Sequence, residues 1–365
     1  MSPPRLLIVS QPQLAGVPGH VLELVAGLED RWRLTVACPR DSELWRGLEH
    51  RAGVELHEIA AARRPSAADL RSLLLLLRLV RRADVVHGHS SKAGFLARVA
   101  AMLRGRTQRC VFTPHGWSWW AFSGARSRAY RVLEKLAAPW CHAILTVSEH
   151  ERDAALAAGV GRREQYRVVR NGVSLARFDA TPCPQPGRAI MVGRFDAPKR
   201  HDLAVRALAL LRAHLPDATL DLVGDGPLRA PVESLATSLG LDGAVRFLGQ
   251  RDDVPALLSQ ATCVMLASDY EGCPLTVLEG MAAGVPVVAT RFGGIDEVVD
   301  HGRTGLVCEA TPQALAAALQ RVLGDAAAAR AMGDAARAEA RARFGRERMV
   351  AEIEAVYGEV LRGAH

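Results

Sequence analysis

The chain has 365 residues, 49% hydrophobic and 23% charged, with a formal net charge of +7. This balance fits a globular protein with room for two domains of ordinary size and excludes a disordered chain. The positive charge suits a phosphate-rich ligand, an anionic membrane surface or nucleic acid, or is simply the arginine habit of a chain rich in Ala, Arg and Gly. Basic residues do not interleave with aromatics along the chain, so no nucleic-acid partner is expected. Seven scattered cysteines with no C-x-x-C pair argue against a disulfide framework or a structural zinc, and point to a reducing, cytoplasmic setting.

In chain order, the apolar run within Arg5–Ser10 is far too short for the core of a signal peptide and predicts the first buried strand. Leu34–Ala37, Val85–His87, Val111–Thr113 and Ile144–Val147 predict further strands. His20–Leu28, Ala67–Arg82 and Gly94–Leu103 predict helices between them. The leucine run Leu73–Leu77 is closed by Arg71 and Arg78, so no membrane span is expected. The stretch Thr181-Pro-Cys-Pro-Gln-Pro-Gly187 reads as an extended linker. The rhythm then restarts with strands at Ala189–Val192, Thr219–Val223, Val245–Leu248, Cys263–Leu266 and Val285–Ala289. Asp325 is a fitting N-cap for a helix over Ala326–Arg343, and Phe344–Leu361 spaces Met349, Ile353, Val356 and Val360 as an amphipathic helix does.

Strands alternating with helices argue for parallel sheets covered on both faces. The expected organisation is α/β: a doubly wound, Rossmann-like domain over 1–181, a linker over 182–187, a second such domain over 188–343, and a terminal helix over 344–365 packing back on the first domain. Ligands of such sheets bind beyond the carboxyl ends of the strands, so the two domains are expected to face each other across a cleft.

The densest chemical signal is Ser268-Asp-Tyr-Glu271-Gly-Cys-Pro-Leu-Thr-Val-Leu-Glu279. A buried strand turns through Gly272, and Pro274 is expected at the first position of a helix, where a missing N–H costs nothing. The amides of Leu275 and Thr276 then point out of a helix end that carries partial positive charge, an anion site suited to a diphosphate. Glu271 precedes that end and Glu279 lies a turn inside, so two acceptor side chains flank the site.

Glu271 and Glu279 with Gly272 and Pro274 resemble the E-x7-E signature of glycosyltransferase family 4. The order of other motifs is similar too: Gly16-Val-Pro-Gly19-His, His115-Gly116, Val147-Ser148-Glu149, Arg170-Asn-Gly-Val173, Val192-Gly-Arg194-Phe-Asp-Ala-Pro-Lys199, Val223-Gly-Asp-Gly-Pro227, Arg246-Phe-Leu-Gly249 and Gly293-Gly-Ile-Asp-Glu297. The resemblance runs from about residue 6 to about residue 345 and is to bacterial hexosyltransferases of polysaccharide or glycolipid assembly. It implies a GT-B fold and retaining transfer of a hexose or N-acetylhexosamine from a nucleotide diphosphate sugar, with UDP the default. It also implies that Arg194 and Lys199 clamp the diphosphate and stabilise the charge built up as it leaves. Glu279 would accept from the ribose hydroxyls, and Glu271 from the donor sugar, aided by the amides of Gly272 and Cys273. The Gly16–Gly19 loop would close over the phosphates, with Pro18 a departure that removes one donor. His115, at the carboxyl end of a strand, would donate to a sugar hydroxyl.

No Asp-x-Asp motif occurs, so neither a metal nor another cofactor is expected. On the acceptor side, His87 and His89 end another strand, and Trp117, Trp119 and Trp120 stand beside Arg126, Arg128 and Arg131. Aromatics beside arginines suit a sugar-stacking platform or a membrane interface; equally, the tryptophans could pack beneath the loop after His115. Arg63, Arg64, Arg78, Arg81 and Arg82 around a leucine-rich helix offer a second basic surface. A lipid-linked sugar acceptor and contact with the inner face of the membrane are the matching expectations. Three rivals remain: a GT-B-fold nucleotide-sugar epimerase, a non-catalytic sugar-nucleotide binder, and an NAD-dependent oxidoreductase. For the last, Gly224-Asp-Gly226 supplies two glycines of G-x-G-x-x-G, but Arg229 occupies the third position.

Overall fold

In the first strand, β1 (Arg5–Ser10), every residue after Arg5 is buried, and successive side chains serve opposite faces. Leu6 and Ile8 enter one apolar cluster, Leu7 and Val9 another. A strand covered on both sides is the signature of a parallel sheet, and this computed structural model has two such sheets. It describes residues 3–14, 16–61 and 66–363. Arg63 and Arg64, two of the expected basic surface residues, lie outside the described residues.

The chain divides into two compact units, 1–172 with 346–365, and 173–345. The first unit continues with β2 (Arg33–Cys38), β3 (Val54–Glu58), β4 (Val85–His89), β5 (Cys110–Thr113), β6 (Ala143–Thr146) and β7 (Tyr166–Val168). Its sheet runs β3-β2-β1-β4-β5-β6-β7, with every pairing parallel. The second unit contains β8 (Arg188–Val192), β9 (Thr219–Val223), β10 (Val245–Gly249), β11 (Cys263–Leu266), β12 (Val287–Thr290) and β13 (Gly305–Cys308). Its order is β10-β9-β8-β11-β12-β13, again all parallel. Both orders reverse direction once, at β1/β4 and at β8/β11. Those switch points are where the loops at the strands' carboxyl ends part and leave a crevice.

The division falls at 172/173, ahead of the proline-rich stretch. Val173 donates to the Phe344 carbonyl at 2.9 Å, and Cys183 and Gln185 donate to the Ser259 and Gln260 carbonyls at 2.8 and 2.9 Å. The prolines therefore do not form a free linker; backbone hydrogen bonds lay the 181–187 segment along the second unit. The terminal helix, Arg346–Arg362, belongs to the first unit. Its Met349, Val350, Ile353, Val356, Tyr357 and Val360 are buried in the cluster that holds Leu6, Ile8, Leu24 and Leu28. Trp32 Nε1 donates to Glu354 at 2.8 Å on its flank.

A substitution near the carboxyl end of the chain should therefore weaken the first unit. Ile353→Ala is expected to destabilise it by about 2–5 kcal/mol through lost burial and the cavity left behind. Urea unfolding followed by hydrogen exchange should show earlier opening of β1, with protection of β8 and β11 unchanged.

Candidate functional site

In the second unit, the loops after β8 and β11 meet beside the switch point. The first loop is pinned on its far side, where Gly193 donates to Val223 and Phe195 to Asp225 at 2.9 and 3.0 Å. That approach is close enough that a Cβ on Gly224 (φ +130°) would lie 2.2 Å from the Gly193 carbonyl oxygen, and one on Gly226 would lie 2.4 Å from that of Phe195. The paired glycines thus serve loop packing, which accounts for the fragment that resembled a dinucleotide fingerprint.

Toward β11, Lys199 pairs with Ser268 in a backbone bridge, and Arg200 donates to the Ala267 carbonyl at 2.9 Å. Ser268 is fixed in turn by Thr290, whose hydroxyl accepts from its N–H and donates to its carbonyl, both at 3.0 Å. This frame sets Lys199 Nζ 2.7 Å from Glu271 Oε1, which also accepts from the Ser268 hydroxyl at 2.9 Å. The pair is mostly buried, with side chains 16% and 17% exposed. Glu271 Oε2 makes no hydrogen bond among the described residues, so one carboxylate oxygen is held and the other is left to accept. On the same loop, Arg194 Nε approaches Asp196 to 3.3 Å and is buried without a hydrogen bond in line.

The helix after Glu271 is Leu275–Ala282, and Pro274 is its N-cap, one position earlier than expected. Its ψ of 118° is extended, so the first helical amides belong to Leu275 and Thr276, which have no partner within the helix. Cys273 is buried, Gly272 and Glu279 are half-buried, and the helix packs tightly enough on β11 that a Cβ on Gly280 would lie 2.6 Å from Val264. Arg194, Lys199, Glu271, Gly272, Cys273, Leu275, Thr276 and Glu279 thus share the two loops and helix at one switch point. Two cations and a helix N-terminus supply positive potential there, and Glu271 supplies an acceptor for hydroxyls.

Beneath the same loops lies His201, a residue the sequence reading passed over. It is 1% exposed and its ring stacks on Phe195 at 4.0 Å. Burial, reinforced by the Lys199 charge, pushes its pKa down to about 4.

In the first unit, His115 follows β5 at φ +57°, a backbone conformation rare outside glycine. Glu151 holds that turn: its carboxylate accepts from the N–H of Gly116 and from that of Val147, the latter at 2.8 Å. Its carbonyl accepts from Trp117 Nε1, also at 2.8 Å. Glu151 is fully buried at the start of the helix Glu149–Ala157, whose N-cap Ser148 accepts from its amide. The Ser-x-x-Glu spacing was the available signal for it.

The remaining first-unit candidates divide. His89 Nδ1 lies 2.9 Å from His115 Nε2, and the His20 ring stands 4.6 Å from that of His115. His20, on the helix Gly16–Leu28, is therefore a site residue missed as a candidate. His87 is fully buried with both ring nitrogens engaged, on Tyr357 at 2.6 Å and Thr113 at 2.8 Å, and has none left for an acceptor. Trp117 and Trp119 are 1% and 7% exposed and stack on each other at 4.4 Å, so they are core under the His115 loop and not a sugar platform. Gly16 begins its helix and Gly19 lies in the first turn, so neither stands in a free loop; Pro18 falls among positions whose N–H has no helical partner anyway.

Residues 15–172 match the model of the glycosyl transferase 4-like domain, and residues 177–339 that of the glycosyl transferases group 1. Glycogen synthase of Mycobacterium tuberculosis is 32% identical over 287 residues, 75% of this chain and 66% of that protein. UDP-Gal:alpha-D-GlcNAc-diphosphoundecaprenol alpha-1,3-galactosyltransferase of Escherichia coli is 29% identical over 265 residues, covering 66% of this chain and 67% of that protein. The chain thus spans about two thirds of the length of these curated relatives. Among solved structures, Anabaena Alr3699/HepE in complex with UDP and glucose superposes with a TM-score of 0.84 at 22% identity, over 97% of this chain and 99% of that one, and so shares the fold.

The buried His201 makes a pH prediction whose sign follows from its lowered pKa. The unfolded chain takes up its proton near pH 6.5 and the folded one only near 4, so the stability is full above 6.5 and is lost as the pH falls toward 4. Between pH 7 and pH 5.5 the loss is about 1 kcal/mol. Urea titrations of the wild type and His201→Gln at both values should show a smaller pH-dependent loss in the variant.

Proposed function

Because the chain belongs to the group 1 glycosyl transferases, with a 4-like amino-terminal half, we propose that it transfers a hexose or N-acetylhexosamine from a UDP-sugar to a sugar-containing, lipid-linked acceptor, with retention of configuration. The observation that carries this reading is the Lys199–Glu271 pair beside the amino end of the helix Leu275–Ala282. Lys199 and Arg194 face the diphosphate, together with the Leu275 and Thr276 amides. Glu271 Oε2 accepts from a donor-sugar hydroxyl, and Glu279 from the ribose.

The acceptor hydroxyl attacks C1, the bond from C1 to the phosphate oxygen breaks, and the hydroxyl proton passes to the departing phosphate. Negative charge grows on the leaving group, and cations already held in place stabilise it without reorganising. His115 acts as a donor to the sugar. The transfer itself needs no divalent metal, because Lys199, Arg194 and the helix end supply its electrostatics. A UDP-sugar donor is supported by the family, by the Escherichia coli relative, a UDP-Gal galactosyltransferase, and by the UDP bound to HepE.

Contact with an anionic membrane is supported by the helix Gly124–Ala137. Val132, Leu133 and Leu136 are 53%, 43% and 58% exposed, with Ala125 and Ala129 on the same face and Arg126, Arg128 and Lys135 exposed around them. Its one acidic residue, Glu134, is turned inward onto Arg98 at 2.7 Å. Among the described residues no helix is long and apolar enough to cross a membrane.

Incubation with a panel of nucleotide sugars, scored for binding and slow donor hydrolysis, tests the activity. A UDP-sugar should be turned over in excess chelator, and Lys199→Ala and Glu271→Ala should each lower kcat by about 10²–10³-fold. Wild-type rates in both variants, or an isomerised nucleotide sugar as product, would end the reading. Separately, Leu133→Glu with Leu136→Glu should abolish co-sedimentation with phosphatidylglycerol vesicles while leaving donor hydrolysis intact.

A further inference from the structure

His20, His89 and His115 each offer a ring nitrogen, and the three atoms lie within 4.8 Å of one another. Their chemistry is uniform: three imidazoles with no carboxylate among them. At His20 the Nδ1 contact to Asn171 Oδ1, at 2.9 Å, fixes the tautomer, because a carboxamide oxygen only accepts. Nδ1 therefore carries the proton and Nε2 presents a bare lone pair, buried and without a partner in a residue 1% exposed. His89 is fully buried; its Nδ1 meets His115 Nε2 at 2.9 Å, a hydrogen bond whose place the ion takes at His115, and its Nε2 lacks a partner. Two unpartnered polar atoms in one buried cluster call for a ligand.

We propose that His20, His89 and His115 form a site for one nitrogen-preferring transition cation, Zn2+ or its neighbours Co2+ and Ni2+, with Asn171 orienting His20 from behind. Imidazole-only ligation selects these ions over Mg2+ and Ca2+, and three protein ligands leave a further coordination position open. The outer hydrogen bond from His20 to Asn171 is of the kind that sets ring orientation at such centres. One consequence rests on the functional reading above: an ion on His115 removes that ring from the donor sugar, so the cation inhibits transfer.

The probe is Co2+ alone, titrated into the chelator-treated full chain and followed by its visible d–d absorption. One equivalent should bind with intense bands, Zn2+ should displace it, and Mg2+ should not. His115→Ala, a change on a half-buried loop, should weaken binding at least tenfold, as should Asn171→Leu, whereas His214→Ala on the other unit should have no effect. Circular dichroism reports whether each variant is folded. Absence of the bands in the wild type, or equal Co2+ affinity in a folded His115→Ala, overturns the site. Micromolar Zn2+ should also lower donor hydrolysis in the wild type. Co2+ binding without any sugar transfer would refute the functional reading and leave the metal site standing.

Discussion

The ion pair between Lys199 and Glu271 joins two loops that are far apart in sequence and leave neighbouring strands at a switch point. A lysine in this position has three N–H donors, of which Glu271 occupies one direction, and Glu271 keeps its second oxygen. Each charge holds the other in place while retaining capacity for a ligand. Because the pair is largely buried, removing either member would leave an uncompensated charge, which is why neither is a neutral surface ornament. The surrounding backbone bonds, Arg200 to Ala267 and Ser268 to Thr290, keep the geometry from depending on two long side chains alone.

The first unit solves a different problem. It holds several imidazoles close together, their pKa values lowered by burial, under a turn whose backbone is strained at His115. The strain is balanced by Glu151, a buried carboxylate satisfied by two backbone amides and placed by the capping of its own helix. A buried charge with this many partners is tolerable, and it turns a rare φ into a fixed presentation of the His115 ring.

The parallel character of both sheets was legible because central strands, buried on both faces, must be continuous apolar runs. The strands that escaped the sequence reading were β3, β7 and β13, all at sheet edges. β3 reads Val-Glu-Leu-His-Glu and is only partly buried, and β7 is three residues long, so neither has the apolar run that marks a covered strand. The domain boundary was misplaced for a related reason. Proline density signals an extended backbone, but not whether neighbouring carbonyls will take up the remaining amides, and here they did. The loop carrying Glu271 was legible because glycine, proline and two acids at fixed spacing constrain the local backbone. Burial was not: three tryptophans in four residues look alike on paper, yet Trp117 and Trp119 are core while Trp120 is only half-buried.

The histidines show where spacing stops being informative. His87 and His89 are two apart on β4, and alternation alone would put both rings on one face with equal claims to a ligand. The register with β5 separates them. His87 lies opposite Val111, within reach of Thr113 and, from the terminal helix, Tyr357, which together satisfy its ring. His89 sits one step nearer the carboxyl end, beyond those partners and beside His115. A single two-residue advance along one strand thus separates an imidazole with both nitrogens satisfied from one whose Nε2 is left without a partner. What makes the difference is the helix Arg346–Arg362, folded more than two hundred residues later in the chain, so no local reading of the sequence around residue 87 contains it.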